Sequence, residues 1–238
     1  MINRILKLSS INISFGNKKL QVIAKASDCD INLPINFANQ IVPIFTKLSC
    51  NSGGCHGKAS GQNNFKLSLL GFDPDLDFIS LVQESRGRRV FPASPDNSLL
   101  LTKSVGIVPH GGGKKMEVGS DEYRLVRRWV AAGVPFGNPT DAVVTKITIY
   151  PENRIMPRNA KQQFIVTAHY TDGTTEDVTR RAQYESNEQD IATVDNNALV
   201  RTNSMAGEAA IMVRYQEFVN IFRATVPLSE KPREFAFE

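Results

Sequence analysis

Residues 164–179 read Phe-Ile-Val-Thr-Ala-His-Tyr-Thr-Asp-Gly-Thr-Thr-Glu-Asp-Val-Thr. Apolar and polar residues alternate through Phe164, Val166 and Ala168, which is the period of a β-strand with one buried face. Asp172-Gly173 follows, and Asp-Gly between two strand-like runs is a strong signal for a hairpin turn. These residues therefore predict two antiparallel strands joined at Asp172.

Short runs of the same kind continue on both sides of this hairpin. Val144, Ile147 and Ile149 form an earlier run. The later runs are Asp177-Val178-Thr179, Ala192-Thr193-Val194, Ala198-Leu199-Val200, 209–215 and 218–226. Short strands at this spacing, separated by turn residues, are typical of a β-sandwich, which we predict over residues 143–227. No Cys-Trp-Cys framework is present, so the predicted sandwich is not of the antibody type.

The chain before the sandwich has a helical rather than a strand-like period. Residues 135–140 read Pro-Phe-Gly-Asn-Pro-Thr, a composition typical of a linker. Before them, Ser120 at the start and Gly133 at the end predict a capped helix whose buried stripe includes Trp129. The predicted organisation is an irregular leader at 1–35, a helical domain at 36–136, a linker at 137–142, the sandwich at 143–227 and a charged tail at 228–238.

Composition restricts the classes of protein to which the chain can belong. Hydrophobic residues make up 41% of the 238 residues and charged residues 22%, enough for a buried core. The formal net charge is +4 and the basic residues are scattered, so we predict no nucleic-acid partner. No window approaches a run of about 18 apolar residues, so no transmembrane segment is predicted. Ala24-Lys25-Ala26 resembles a cleavage site, but polar residues interrupt the apolar run before it, which makes the leader a poor signal peptide.

Residues 50–56, Cys-Asn-Ser-Gly-Gly-Cys-His, carry the strongest chemical signal of the chain. The pattern is C-x4-C-H, a spacing variant of the c-type haem attachment motif, in which two thiols add to haem vinyl groups. His56 would then be the proximal iron ligand. Spacing alone leaves two alternatives open, a zinc site and a buried cysteine pair. A zinc site needs four ligands, and the remaining donors of the usual kind are Cys29, His110 and His169.

A haem bound at this motif would need further contacts from the same domain. His110, which precedes three glycines, is the predicted distal iron ligand, with Met116 or an open position as alternatives. Arg86, Arg88 and Arg89 are candidates to pair with the haem propionates, because a guanidinium group matches the two oxygens of a carboxylate; a solvated loop is the alternative. Arg88 and Arg89 are the two that we predict as cofactor contacts.

Two parts of the chain resemble known families. Residues 36–136 resemble the cytochrome c-like domain of large planctomycete-type proteins, and residues 143–227 resemble a bacterial Ig-like domain of group 2. The first resemblance rests on 50–59, 67–74, 87–89, 98–101, 109–113 and 127–129, and the second on 170–173, 177–179, 191–195 and 207–209. Together the two resemblances imply a mainly α cytochrome c-like domain followed by an all-β Ig-like sandwich. The first also implies one covalent haem c and a periplasmic or extracellular location. Two further domains usually follow in that family, and this sequence does not contain them.

Two hypotheses on function follow from this reading. The first is an electron-transfer module with an unknown redox partner, in which the Ig-like domain is a spacer or an adhesive domain. The alternative is a non-redox interaction protein of the cell surface, which contacts a surface or a polysaccharide through its Ig-like domain. Neither hypothesis assigns a catalytic residue.

Overall fold

The computed structural model describes residues 6–27 and 33–229. Cys29 and most of the predicted charged tail lie outside these ranges. The chain divides into two compact units, one up to Pro34 and one from Ile35 onward. Each unit is described by itself below.

The first unit contains a β-hairpin where the sequence predicted an irregular leader. Strand β1, Leu6–Phe15, pairs antiparallel with strand β2, Lys18–Ser27. Between them Gly16 has a φ of +55°, a conformation that glycine adopts without strain. The pairing places Ile11 opposite Val22 and Ile13 opposite Leu20, so these aliphatic pairs share one face. Lys18 and Lys19 beside this turn are compatible with an exposed hairpin. In the sequence the same lysines interrupt the apolar run that a signal peptide needs.

The second unit begins with what we call the cavity segment, residues 35–142. A π-helical turn, Phe37–Ile41, runs into helix α1, Val42–Lys47. The other α-helices of this segment are α2, Pro74–Phe78, α3, Leu99–Ser104, and α4, Asp121–Ala131. A π-helical turn, Ile79–Gln83, and 3-10 turns at Leu69–Gly71, Glu84–Gly87 and Pro95–Asn97 complete its regular structure.

The prediction of a mainly α cytochrome c-like domain is wrong for this segment. Its α-helices have 6, 5, 6 and 11 residues, and the stretches 48–68 and 105–120 contain no helix. Pro43 and Pro74 stand at the first turns of α1 and α2, where proline can begin a helix but not extend it backwards. Turns and loops therefore account for much of the segment.

The predicted cap of the last helix is confirmed. The Ser120 hydroxyl accepts a hydrogen bond from the Tyr123 backbone N–H at 3.2 Å, and α4 begins at Asp121, the residue after Ser120. Trp129 on this helix is fully buried, and its indole N–H donates to the Pro135 carbonyl at 2.8 Å. Its ring lies 5.3 Å from that of Phe37, which places the start of the segment against its last helix.

Residues 143–227, which we call the β-domain, form the predicted all-β sandwich. Its strands are β3, Val144–Tyr150, β4, Asn153–Ile155, β5, Lys161–Gln163, β6, Ile165–Tyr170, β7, Thr175–Asp177, β8, Gln183–Ser186, β9, Ala192–Val194, β10, Leu199–Thr202, β11, Gly207–Tyr215, and β12, Phe218–Val226. They form sheets in the orders β3-β6-β7, β4-β12-β11-β8 and β5-β10-β9. The predicted turn at Asp172-Gly173 joins β6 to β7, and Gly173 has a φ of +81°. The buried rings of Phe164 and Phe222 stack at 5.2 Å in its core.

Polar contacts connect the β-domain to the cavity segment. The Tyr215 hydroxyl donates to the Asn39 carbonyl at 2.7 Å, and the Gln216 amide donates to the Asn39 side-chain oxygen at 3.0 Å. Lys47 donates to the Arg180 carbonyl and, at 2.9 Å, to Glu122 on α4. The helix that leads to Cys50 is therefore anchored on the β-domain.

Candidate functional site

The cavity segment encloses a cavity of about 370 Å³. Most of the residues that the sequence singled out as haem contacts or iron ligands line it, but Arg86 does not. Those that line it are Cys50, Cys55, His56, Arg88, Arg89, His110 and Met116. The structure thus brings together side chains that lie as much as 66 positions apart in the sequence, from Cys50 to Met116.

A compact loop holds the two cysteines and the histidine that follows them. The Cys50 N–H donates to the Phe45 carbonyl at 2.8 Å, so the loop starts directly from α1. The His56 N–H donates to the Cys50 carbonyl at 3.0 Å and closes the loop. At Gly57 a Cβ atom would lie only 2.0 Å from the Asn51 carbonyl oxygen. Glycine is therefore required there, because any side chain would force the closed loop apart.

The protein orients the His56 imidazole through a backbone carbonyl. Nδ1 lies 3.0 Å from the Phe65 carbonyl oxygen, and because a carbonyl only accepts, Nδ1 must carry the proton. Burial lowers the pKa of His56, and this hydrogen bond opposes the effect. The ring is consequently neutral at pH 7, with the lone pair on Nε2, the nitrogen that a metal would take.

His110 is held in the same way. Its Nδ1 lies 2.9 Å from the Gly113 carbonyl oxygen, so Nδ1 is again the donor. The His56 and His110 rings are parallel within 7°, and their centroids are 6.2 Å apart. At both rings Nε2 is the nitrogen without the proton and is therefore the one that could bind a metal. Donation of the second ring N–H to a backbone carbonyl is also the usual arrangement for a metal-bound histidine.

Cys50 presents a thiol rather than a thiolate to the cavity. Burial raises the pKa of the Cys50 thiol to about 11, although the charge of Lys115 opposes the shift. Cys50 therefore stays protonated at neutral pH and is a poor nucleophile without activation. Both cysteines are partly buried and neither forms a disulfide.

The two neighbouring arginines have different surroundings. Arg88 is exposed and lines the cavity. Arg89 is buried and donates to the carbonyls of Ser80 and, at 2.6 Å, Asn64. A propionate would compete with these two carbonyls for the guanidinium group of Arg89. Arg88 does not donate to either carbonyl.

Sequence reasoning missed Lys103 as a cavity residue. It lies on α3, lines the cavity and donates to the Pro109 carbonyl at 3.2 Å, beside His110. Nothing in its local sequence marks it, because only the fold brings α3 to the cavity. Among the described residues that line the cavity, three side chains including Lys103 are cationic and none is a carboxylate, which suits a ligand that carries negative charge. Met116 also lines the cavity and belongs to the buried core.

The expectation of a metal-binding cytochrome is corrected by two findings. Within residues 6–27 and 33–229 no group of three or more His, Cys, Asp or Glu side chains could hold a metal ion. The family match reported below lies outside the cavity segment. The first finding concerns metal ions held by side chains alone. A haem macrocycle supplies four of the iron ligands itself and needs only one or two from the protein, so haem binding stays a prediction.

Residues 143–219 match the bacterial Ig-like domain family of group 2. The chain is also 35% identical over 57 residues to Ice-binding protein 1 of Shewanella frigidimarina (strain NCIMB 400), a match that covers 24% of this chain and 6% of that protein. The crystal structure of the S-layer protein rSbsC(31-844) aligns with a TM-score of 0.34 and 15% identity over 41% of this chain and 15% of that chain. The chain therefore spans only a small part of either protein. In the part that the structure describes, no helix is long and apolar enough to span a membrane.

Proposed function

We propose that this protein acts outside the cytoplasm, at a cell surface or in the extracellular space, as an interaction protein whose β-domain makes the contact. The observation that carries this proposal is the Ig-like match at residues 143–219. The similarity of part of the chain to an ice-binding protein supports it, since that protein is named for contact with an external surface. We infer a surface polysaccharide of the cell envelope as the partner.

The outer face of sheet β4-β12-β11-β8 is where we place this contact. On β12 the buried Phe222 and Ala224 face the core, so Val219 and Ile221 point to the other side, where they are 49% and 41% exposed. Across the ladder Ile221 lies opposite Met212 on β11. This places three apolar side chains side by side on an outward face, and clustered exposed apolar residues are typical of interaction sites.

Cosedimentation with isolated cell envelopes and with purified envelope polysaccharide tests the proposal. Val219→Glu combined with Ile221→Glu should reduce binding at least tenfold, because it adds two charges to the contact face. Ile165→Glu is the matched control, since Ile165 is an exposed aliphatic residue on a different sheet. Equal binding by the double variant and the control would contradict the proposed face, and no binding by the unchanged chain would contradict the function.

A second candidate function is that the cavity binds one covalent haem c. The parallel pair of His56 and His110 rings, each with Nδ1 on a carbonyl, favours it. Cys50 and Cys55 would form the thioether bonds, and His56 and His110 would hold the iron. Arg88 and Lys103 supply positive charge for the propionates. A bound haem supplies a redox-active iron, and the protein residues named here would attach it, orient it and neutralise its charge.

A pyridine haemochrome spectrum of the exported chain, made together with cytochrome c maturation factors, tests this candidate. The unchanged chain should give the band of two thioether bonds. Cys50→Ser and Cys55→Ser should each shift that band, whereas Cys29→Ser, outside the motif, should not. The absorption spectrum recorded without pyridine reports the iron ligands of the protein. In it, His110→Ala should convert a low-spin spectrum to a high-spin one, and Met116→Leu should leave it low-spin. A colourless protein would contradict the candidate function.

A further inference from the structure

We propose that Arg89 is a positioning residue that keeps the His56 imidazole in the Nδ1–H form, with Nε2 available to a ligand in the cavity. The proposal gives Arg89 a different role from that of Arg88, its neighbour in the sequence. The role of Arg89 rests on the proposed haem site, because the ligand for Nε2 would be the haem iron. The contacts that support this role are all between residues of the protein.

Arg89 is held on three sides. One guanidinium nitrogen donates to the Ser80 carbonyl in the π-helical turn, and the same nitrogen lies 3.5 Å from the Glu84 carboxylate. The other donates to the Asn64 carbonyl at 2.6 Å. The centre of the guanidinium group lies 4.6 Å from the centroid of the Phe65 ring, within the range of a cation–π interaction. Arg89 therefore fixes both Asn64 and Phe65 against the π-helical turn.

Asn64 and Phe65 belong to a tight turn that carries the acceptor for His56. Gln62 and Phe65 exchange backbone hydrogen bonds at 2.9 Å in both directions. The two residues between them, Asn63 and Asn64, have φ values of +50° and +57°, as in a type I′ turn. Asparagine adopts positive φ angles more readily than most residues, and a contact from outside the turn adds to the hydrogen bonds that close it. Arg89 provides such a contact at the Asn64 carbonyl.

The turn contacts the His56 imidazole in two ways, through a backbone carbonyl and through a side-chain ring. The Phe65 carbonyl accepts the Nδ1 proton of His56 at 3.0 Å, and the Phe65 ring lies 4.5 Å from the imidazole ring. The guanidinium group, the phenyl ring and the imidazole thus form a continuous series of contacts. If Arg89 releases the turn, the carbonyl moves off Nδ1, and the imidazole can then populate the Nε2–H form.

Nitrogen-15 NMR of histidine-labelled full chain without haem tests the proposal. The chain has only three histidines, and a His56→Ala sample assigns the signals of His56. In the unchanged protein Nδ1 of His56 should be protonated. In Arg89→Lys, which keeps the charge but cannot reach all three contacts, the ratio of Nδ1–H to Nε2–H should fall about fivefold, the equivalent of one lost hydrogen bond. The signals of His110 and His169 should not change.

Arg88→Lys is the matched control and should leave the His56 ratio unchanged. Fluorescence of Trp129, the only tryptophan, reports whether each variant is folded. If Arg89→Lys does not fold, Phe65→Leu keeps the carbonyl, removes the ring under the guanidinium group and should lower the same ratio. An unchanged ratio in a folded Arg89→Lys protein, or in Phe65→Leu where Arg89→Lys does not fold, would overturn the proposal. Because no haem is present, the result does not depend on the outcome of the haemochrome experiment.

Discussion

The cavity segment and the β-domain lie in one compact unit but are stabilised by different means. Among the described residues, most buried polar side chains belong to the cavity segment: Thr46, Asn51, Ser68, Asp77, Ser80, Arg89, Ser98 and Ser104. The β-domain buries only Thr179 and Thr202 of this kind. Its interior is otherwise apolar and contains the stacked rings of Phe164 and Phe222. The β-domain is therefore held mainly by apolar packing, and the cavity segment in large part by hydrogen bonds around a cavity.

This difference gives the two regions different kinds of sequence pattern. An apolar core with strands of period two leaves a regular pattern in the sequence, and many residue combinations satisfy it. A network of buried hydrogen bonds depends on individual side chains and on turns with positive φ angles, such as the one at Asn63 and Asn64. We infer that the cavity segment tolerates substitution at its buried positions less well than the β-domain does.

The largest expected effect comes from the core of the β-domain. Phe164→Ala removes a fully buried ring and should lower the free energy of unfolding by about 3–5 kcal/mol. Because Tyr215 and Lys47 connect the two regions, the unfolding transition of Trp129, which lies in the cavity segment, should shift together with the far-UV circular dichroism signal. Ile165→Ala, at an exposed position, is the control and should cost less than about 1 kcal/mol. A Trp129 transition that stays in place would show that the regions unfold independently.

A pair of glycines compares the two regions directly. Both Gly71 and Gly173 have positive φ angles, of +79° and +81°. At Gly71 a Cβ atom would lie 2.4 Å from the Val42 side chain, whereas at Gly173 no atom lies within 4 Å. Gly173→Ala should therefore cost about 1–2 kcal/mol for backbone strain alone, and Gly71→Ala about 3 kcal/mol for strain and overpacking. Urea unfolding measures both values, and equal costs would contradict tight packing at Gly71.

Asp77 should make the stability of the cavity segment depend on pH. Its carboxylate is fully buried and accepts hydrogen bonds from the Ser68 N–H at 2.5 Å and the Ser68 hydroxyl at 2.9 Å. Burial raises its pKa from 3.8 to about 6, against the effect of these bonds. Between about pH 4 and pH 6 the folded state thus binds more protons than the unfolded state, so the contribution of Asp77 to stability is full below pH 4 and is lost as the pH rises towards 6.

Asp77→Asn removes this titration. The difference in free energy of unfolding between the unchanged protein and the variant should shift by about 2 kcal/mol between pH 4 and pH 7, in favour of the variant at pH 7. Urea unfolding at the two pH values measures it. A constant difference between the proteins, or a shift of the opposite sign, would show that the carboxylate is already ionised in the folded state at pH 4.

The smallest expected effect is at the contact between the two regions. Tyr215→Phe removes the hydroxyl that donates to the Asn39 carbonyl and should cost about 1 kcal/mol. Tyr150→Phe is the control, because Tyr150 is 75% exposed, and should have almost no effect. If the Tyr215 variant also separates the Trp129 transition from that of the β-domain, this single bond carries most of the coupling; a cost equal to that of the control would mean that the contact contributes nothing.

The sequence predicted the features that depend on short patterns. The turn at Asp172-Gly173, the strands of the β-domain and the helix capped by Ser120 all follow from residues close together in the chain. The same holds for the loop from Cys50 to His56. His110 was singled out by the three glycines that follow it, but no local pattern places it beside His56, because the two residues lie far apart in the chain.

The hairpin of the leader is a local pairing across Gly16-Asn17, and reading this stretch as an interrupted signal peptide missed that turn signal. Two other features could not be predicted because they depend on tertiary contacts. Lys103 reaches the cavity only because of the position of α3. Arg89 and Arg88 look alike in the sequence, but one is buried against Asn64 and the other is exposed.

The central claim is a division of roles, in which the β-domain makes the external contact and the cavity segment does not. The binding isotherm of the full chain on purified envelope polysaccharide tests it most directly, for the unchanged protein, Val219→Glu with Ile221→Glu, and His56→Ala. We predict that the double variant binds at least tenfold more weakly and that His56→Ala binds as the unchanged protein does. Loss of binding in His56→Ala, with full binding by the double variant, would contradict the claim.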